Sequence, residues 1–128
     1  MTTASTKPVI LLADDDEVIR NMGRDILHIL GYNVLLANDG EDTIHVYEQH
    51  RNEIAVVILD WHMPGLSGME ILQKLWSING DVKVVVATGL GMPREMESEK
   101  ISNHRVSLLQ KPYLVKDLQN ELSRLLDQ

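Results

Sequence analysis

Five short, almost unbroken apolar runs, separated by stretches with helical spacing, restrict the fold of this chain more than any other feature. The runs are Val9–Ala13, Val34–Ala37, Ile54–Leu59, Val82–Ala87 and Val106–Leu109. Continuous rather than alternating hydrophobicity, rich in branched residues, is the pattern of a parallel strand buried on both faces. In the first intervening stretch Val18, Met22, Ile26 and Ile29 fall at i, i+4, i+8 and i+11, which predicts the apolar face of a helix stopped by Gly31. Asp39 reads as the N-cap of a second helix, with Glu41 and Asp42 at the positive end of its dipole. Gly68 to Ile78, closed by Asn79-Gly80, predicts a third. Pro93 to about Ser102 predicts a fourth with a thin apolar face, and Leu118, Leu122 and Leu125 mark a fifth. Strands and helices in strict alternation predict an α/β domain with a parallel sheet covered on both sides. Functional groups in such sheets gather at the carboxyl ends of the strands.

A chain of 128 residues suits one domain, expected over residues 8–128, with residues 1–7 as a disordered or extended tail. There is no cysteine, so disulfides and thiolate metal sites are unavailable. A net charge of −7 argues against direct nucleic-acid binding, which calls for a basic stripe. The apolar runs are far shorter than the ~20 residues that span a bilayer. The opening Met1–Pro8 lacks the basic start and apolar centre of a secretory signal. The expectation is a cytoplasmic protein with no membrane partner.

The predicted strand ends carry a coherent chemistry. Asp14-Asp15-Asp16-Glu17 follows the first run, Asp60-Trp61-His62-Met63-Pro64-Gly65 the third, Thr88-Gly89 the fourth and Lys111-Pro112 the fifth. Clustered carboxylates repel one another, and a hard divalent cation relieves that repulsion. A remaining carboxylate can act as a nucleophile toward a phosphoryl donor. A lysine and a threonine hydroxyl are the donors a phosphoryl group needs.

These four segments, in this order and near this spacing, resemble the signatures of response-regulator receiver domains, and the resemblance covers about Pro8 to Leu126. It implies a flavodoxin-like three-layer (βα)5 sandwich with strand order 2-1-3-4-5. It makes Asp60 the phosphoacceptor, Asp15 a direct magnesium ligand and Asp14 the holder of a metal-bound water, with manganese a possible substitute. The backbone carbonyl of His62 supplies a further ligand, Thr88 and Lys111 contact phosphoryl oxygens, and Lys111–Pro112 is cis. The implied partners are a sensor histidine kinase or phosphotransfer domain. An unidentified effector would meet the face formed by the fourth helix, fifth strand and fifth helix, in a monomer or homodimer. The Leu-Gln-Lys-Pro-Tyr segment, Leu109–Tyr113, looks like receivers of hybrid sensor kinases.

Plainer readings stand beside these. Asp16 and Glu17 suit a solvated helix start. The His62 side chain can order water or simply lean into solvent. His28, His45, His50 and His104 lack metal-ligand spacing and read as surface residues. Gly89 and Gly91 suggest an open loop, and Met92 and Met96 read as gap fillers. The family commonly has an aromatic residue three positions before the lysine, where this chain has Leu108, and a glycine before the fifth strand that Ile101–Val106 lacks.

The expected function is a phosphorylation-controlled switch, modifying itself rather than turning over a substrate. A phosphorylation-independent interaction module is the first alternative, for which Leu108 leaves room. The second is a haloacid-dehalogenase-like phosphatase, whose nucleophile motif Asp14-x-Asp16-x-Val18 formally matches. That family needs a second acidic pair and usually a cap, and the chain is short of both.

Overall fold

The computed structural model describes residues 7–91, 94 and 106–127. Its elements are β1 (Val9–Ala13), α1 (Glu17–Ile29), β2 (Asn33–Ala37), α2 (Gly40–His50), β3 (Ile54–Asp60), α3 (Gly68–Ile78), β4 (Val84–Thr88), β5 (Val106–Gln110) and α4 (Val115–Leu126). The strands form one parallel sheet in the order β2-β1-β3-β4-β5, as the resemblance implies. The helix expected from Pro93 to about Ser102, with Met92, Met96 and His104, lies outside the described residues, as do residues 1–6. Among the described residues no helix is long and apolar enough to cross a membrane.

The period-2 alternation of the strands explains why their sequences are apolar throughout. Leu11, Ala13, Val57, Leu59, Val84 and Val86 form one core with Tyr47 of α2 and Ile71, Leu72 and Leu75 of α3. Ile10, Leu12, Val56, Ile58, Val85 and Ala87 form the other with Leu27 of α1 and Leu118, Leu122 and Leu125 of α4. Odd and even positions therefore serve opposite layers, and a strand with two covered faces has no place for a solvated residue.

The apolar face expected for α1 is out of register. Ile19, Ile26 and Leu27 pack on the sheet and Gly23 is buried, whereas Val18, Met22 and Ile29 are exposed, Val18 at 75% and Ile29 at 82%. The reason is a close approach. A Cβ on Gly23 would stand 2.8 Å from Leu12 Cδ2. The glycine that marks the contact line carries no hydropathy signal, so the apolar stripe beside it was the one that stood out.

The end signals read at Asp39 and Gly31 hold in the structure. Asp39 caps α2 by accepting from the Asp42 N–H at 2.7 Å. Gly31, with φ +98, ends the turn after α1. At α3, Ser67 and Glu70 form a reciprocal capping box, Ser67 Oγ accepting from the Glu70 N–H at 3.1 Å and Glu70 Oε1 from the Ser67 N–H at 3.0 Å. Ser67→Ala removes one arm and is expected to cost about 1 kcal/mol. Urea unfolding would register it as a lower midpoint at constant slope; an unmoved midpoint would show the cap to be energetically idle.

Candidate functional site: an acidic pocket at the strand ends

Parallel register brings the distant motifs together. Ala13 pairs with Leu59, Asp60 with Ala87 and Thr88 with Gln110. The residues ending β1, β3, β4 and β5 therefore share one rim. Backbone bonds pin that rim: Asp14 N to Ala37 O at 3.1 Å, Trp61 N to Ala87 O and Lys111 N to Thr88 O, both at 2.9 Å. Asp60 and Thr88 are the last residues of their strands rather than the first of the loops, one position deeper than the apolar runs suggested.

Asp14, Asp15 and Asp60 each offer a carboxylate oxygen, all within 4.8 Å of one another. Asp14 is fully buried and Asp60 is 4% exposed, while Asp15 is exposed at the mouth. The Lys111 ammonium lies 2.9 Å from Asp14 Oδ2 and 3.3 Å from Asp60 Oδ1. Lys111 precedes a cis bond to Pro112, as the resemblance implies. Three carboxylates against one ammonium leave two negative charges, a donor set of hard oxygens suited to a divalent cation.

The surroundings tune these groups. Burial pushes the Asp60 pKa above its ordinary 3.8; the Lys111 charge opposes this, and Asp14 adds to it. The His62 N–H, donating to Asp60 Oδ1 at 3.3 Å, also favours the ionised form. Burial would lower the Lys111 pKa, but hydrogen bonding to Asp14 and the charges of Asp60 and Asp14 outweigh it, leaving a net rise. Thr88 is buried, and its Oγ1 accepts the Leu90 N–H at 3.1 Å. That bond uses an acceptor lone pair, so it does not commit the hydroxyl proton.

Asp14 is held from two sides. Its Oδ1 accepts the Asp16 N–H at 2.9 Å, and its carbonyl accepts from Arg20 Nη1 at 2.8 Å. Asp16 caps α1, its Oδ1 accepting from the N–H groups of Val18 and Ile19, in line with the plainer reading of that residue. The His62 side chain is exposed, as are His28 and His45, while His50 is half-buried. Sequence reasoning overlooked Arg20, because it does not sit at a strand end. An arginine at the end of the first turn of the helix after the acidic run is a signal that could have suggested it.

Comparison with known proteins settles the family: the response regulator receiver domain model matches residues 10–123. The chain belongs to that family. A receiver domain solved from Clostridium thermocellum superposes with a TM-score of 0.85 at 29% identity, covering 94% of each chain. The response regulator MprA of Mycobacterium leprae is 32% identical over 120 residues, 91% of this chain and 50% of its own length. The autoinducer 1 sensor kinase/phosphatase LuxN of Vibrio campbellii is 29% identical over 121 residues, 94% of this chain and 14% of its own length. This receiver domain of two-component signalling thus spans half or less of these two curated relatives. Its resemblance extends to a receiver within a sensor kinase as well as to one within a response regulator.

Proposed function

We propose that this receiver accepts a phosphoryl group on Asp60 from a phosphohistidine of a sensor histidine kinase or phosphotransfer domain, in a magnesium-dependent reaction. The observation that carries the reading is Lys111 seated between Asp14 and Asp60, with a third carboxylate at the mouth. Asp14, Asp15, Asp60 and the His62 carbonyl would hold the ion. When bound, magnesium supplies charge neutralisation for the phosphoryl oxygens.

The protein's own groups account for the rest. The Asp60 carboxylate attacks phosphorus, forming an acyl phosphate as the phosphorus–nitrogen bond breaks and the donor imidazole takes up a proton. Lys111 pairs with one phosphoryl oxygen, and the Thr88 hydroxyl donates to another. Water later attacks phosphorus and releases inorganic phosphate, restoring the carboxylate. The chain is changed and restored, with no free substrate turned over, so it acts as a switch rather than an ordinary enzyme. Val18 and Met22 on α1, which follows Asp14 and Asp15 in the chain, and Leu114 and Val115 at the start of α4, which follows Lys111, are exposed apolar side chains. They offer an apolar seat for the phosphodonor protein. Leu108 packs on the α2/α3 side of the sheet, the side that strand alternation also gives Thr88. Without an aromatic ring there, the response to Thr88 movement is a repacking of smaller side chains.

The test is incubation with acetyl phosphate and magnesium, read by intact mass, alongside a beryllofluoride titration read by Trp61 emission. Trp61 is bonded to Asp60 and is 8% exposed, so both signals are expected. Chelation of the metal should abolish the mass gain. A chain inert in both assays would be an interaction module that does not switch by phosphorylation.

A further inference from the structure

Asn79-Gly80 closes α3, and the carboxamide of Asn79 is clamped at both ends. Its Nδ2 donates to the Tyr47 hydroxyl at 3.0 Å, and its Oδ1 accepts the Asp81 N–H at 3.0 Å. Tyr47 is buried in the core shared by α2, α3 and the sheet, so the first bond ties the end of α3 to α2. Asn79 itself is half-buried and extended, with φ −150 and ψ 105, and its N–H closes the helix on Leu75 O at 2.9 Å.

An asparagine followed by glycine carries a reaction of its own. The Gly80 nitrogen can attack the side-chain carbon of Asn79. A new carbon–nitrogen bond forms, the Asn79 Cγ–Nδ2 bond breaks, and ammonia leaves with the proton that Gly80 gives up. The resulting succinimide takes up water at either carbonyl and opens to aspartate or isoaspartate. Glycine favours the attack because no side chain shields its nitrogen. The surroundings of Gly80 are open too: it is exposed, and a Cβ placed on it would meet no atom within 4 Å.

The fold withholds the electrophile rather than the nucleophile. Attack on an amide carbon comes from above its plane, whereas a hydrogen bond to its oxygen lies near that plane. With Oδ1 bonded to the Asp81 N–H, the carboxamide presents its edge to the backbone that follows. Turning its face toward the Gly80 nitrogen breaks that bond and pulls Nδ2 away from Tyr47.

We propose that Asn79-Gly80 is a self-modification site held shut by the Tyr47–Asn79 tie, deamidating when the end of α3 parts from α2. Isoaspartate there adds a carbon to the main chain at the turn into β4, where the Val82 N–H meets Asn79 O at 3.2 Å. The lost ammonia is not regained, so the product marks molecules in which this layer has opened.

The test is incubation of the full chain at mildly alkaline pH, with peptide mass mapping for aspartate and isoaspartate at position 79. Thermal midpoints confirm that each protein is folded at the incubation temperature. Wild type should convert at least about tenfold more slowly folded than in concentrated urea, because reaction waits on local opening. Tyr47→Phe keeps the ring and removes the acceptor. Folded, it should convert about fivefold faster than wild type, the scale of one lost hydrogen bond. In urea the two should convert alike. Ser67→Ala weakens the opposite end of α3 and controls for global unfolding, so its folded rate should stay near that of wild type. Gly80→Ala should suppress conversion in both states. Equal folded rates in wild type and Tyr47→Phe overturn the proposal. So does equal acceleration by Ser67→Ala and Tyr47→Phe, which would make the route global unfolding. A wild type that converts as fast folded as in urea overturns it as well, by showing the site to be open.

Discussion

Asp60→Asn is expected to abolish phosphoryl acceptance from acetyl phosphate and magnesium, a loss of at least about 10³-fold, the scale on which removing a nucleophile acts. The amide fills the same volume, but its nitrogen and carbonyl oxygen are poor nucleophiles toward phosphorus. The same substitution should have the opposite effect on stability. Burial, helped by the Asp14 charge, raises the Asp60 pKa on folding in spite of Lys111. A carboxyl raised in this way contributes its full stability only below the ordinary value of 3.8, and loses it as pH rises through the folded-state value. At neutral pH the ligand-free wild type therefore bears a penalty that asparagine does not. Asp60→Asn should unfold at higher urea than wild type at pH 7, with the difference vanishing below the ordinary carboxylate range. Magnesium should narrow the gap at pH 7 by stabilising the wild type preferentially. Undiminished labelling of the variant would remove Asp60 from its role, and a less stable variant at pH 7 would show that the Lys111 contact outweighs burial.

The second large effect lies beside the site rather than in it. Gly68 opens α3 directly beneath Trp61, where an added Cβ would stand 2.4 Å from two carbons of the indole. Trp61 is 8% exposed and held in the core with Met63 and Ile71, so the ring has little room to retreat. Alanine in place of glycine gains up to about 1 kcal/mol of helix propensity in a helix interior, and less at a first helical position. Overpacking a filled site costs about 1–3 kcal/mol and wins that comparison. Gly68→Ala should therefore lose about 1–3 kcal/mol in urea unfolding. Because Trp61 follows Asp60 and its N–H is bonded to Ala87 O, the displacement should also slow labelling of Asp60. Wild-type stability in the variant would mean that the ring yields at no cost.

Several features were legible in the sequence for definite physical reasons. Strands covered on both faces must be apolar throughout, which made β1 and β3 visible as unbroken runs. Caps depend on side chains next to the backbone they serve, so Asp39 and the Gly68–Ile78 helix stood out from local residues alone. Polar residues ending apolar strands named Asp14, Asp15, Asp60, Thr88 and Lys111 as one set, although their roles came from resemblance.

What only the tertiary structure decided concerns contacts between elements. Which stripe of α1 faces the sheet depended on how closely Gly23 lets the helix approach Leu12 and Tyr113, a distance that hydropathy does not encode. The pairing of Lys111 with both Asp14 and Asp60 required strands far apart in sequence to lie in register. The raised pKa of Asp60 arises from burial among neighbours drawn from other segments. Residue identities fix local propensity and the chemistry on offer. Proximity in space, which sets the electrostatics, comes only with the packed chain.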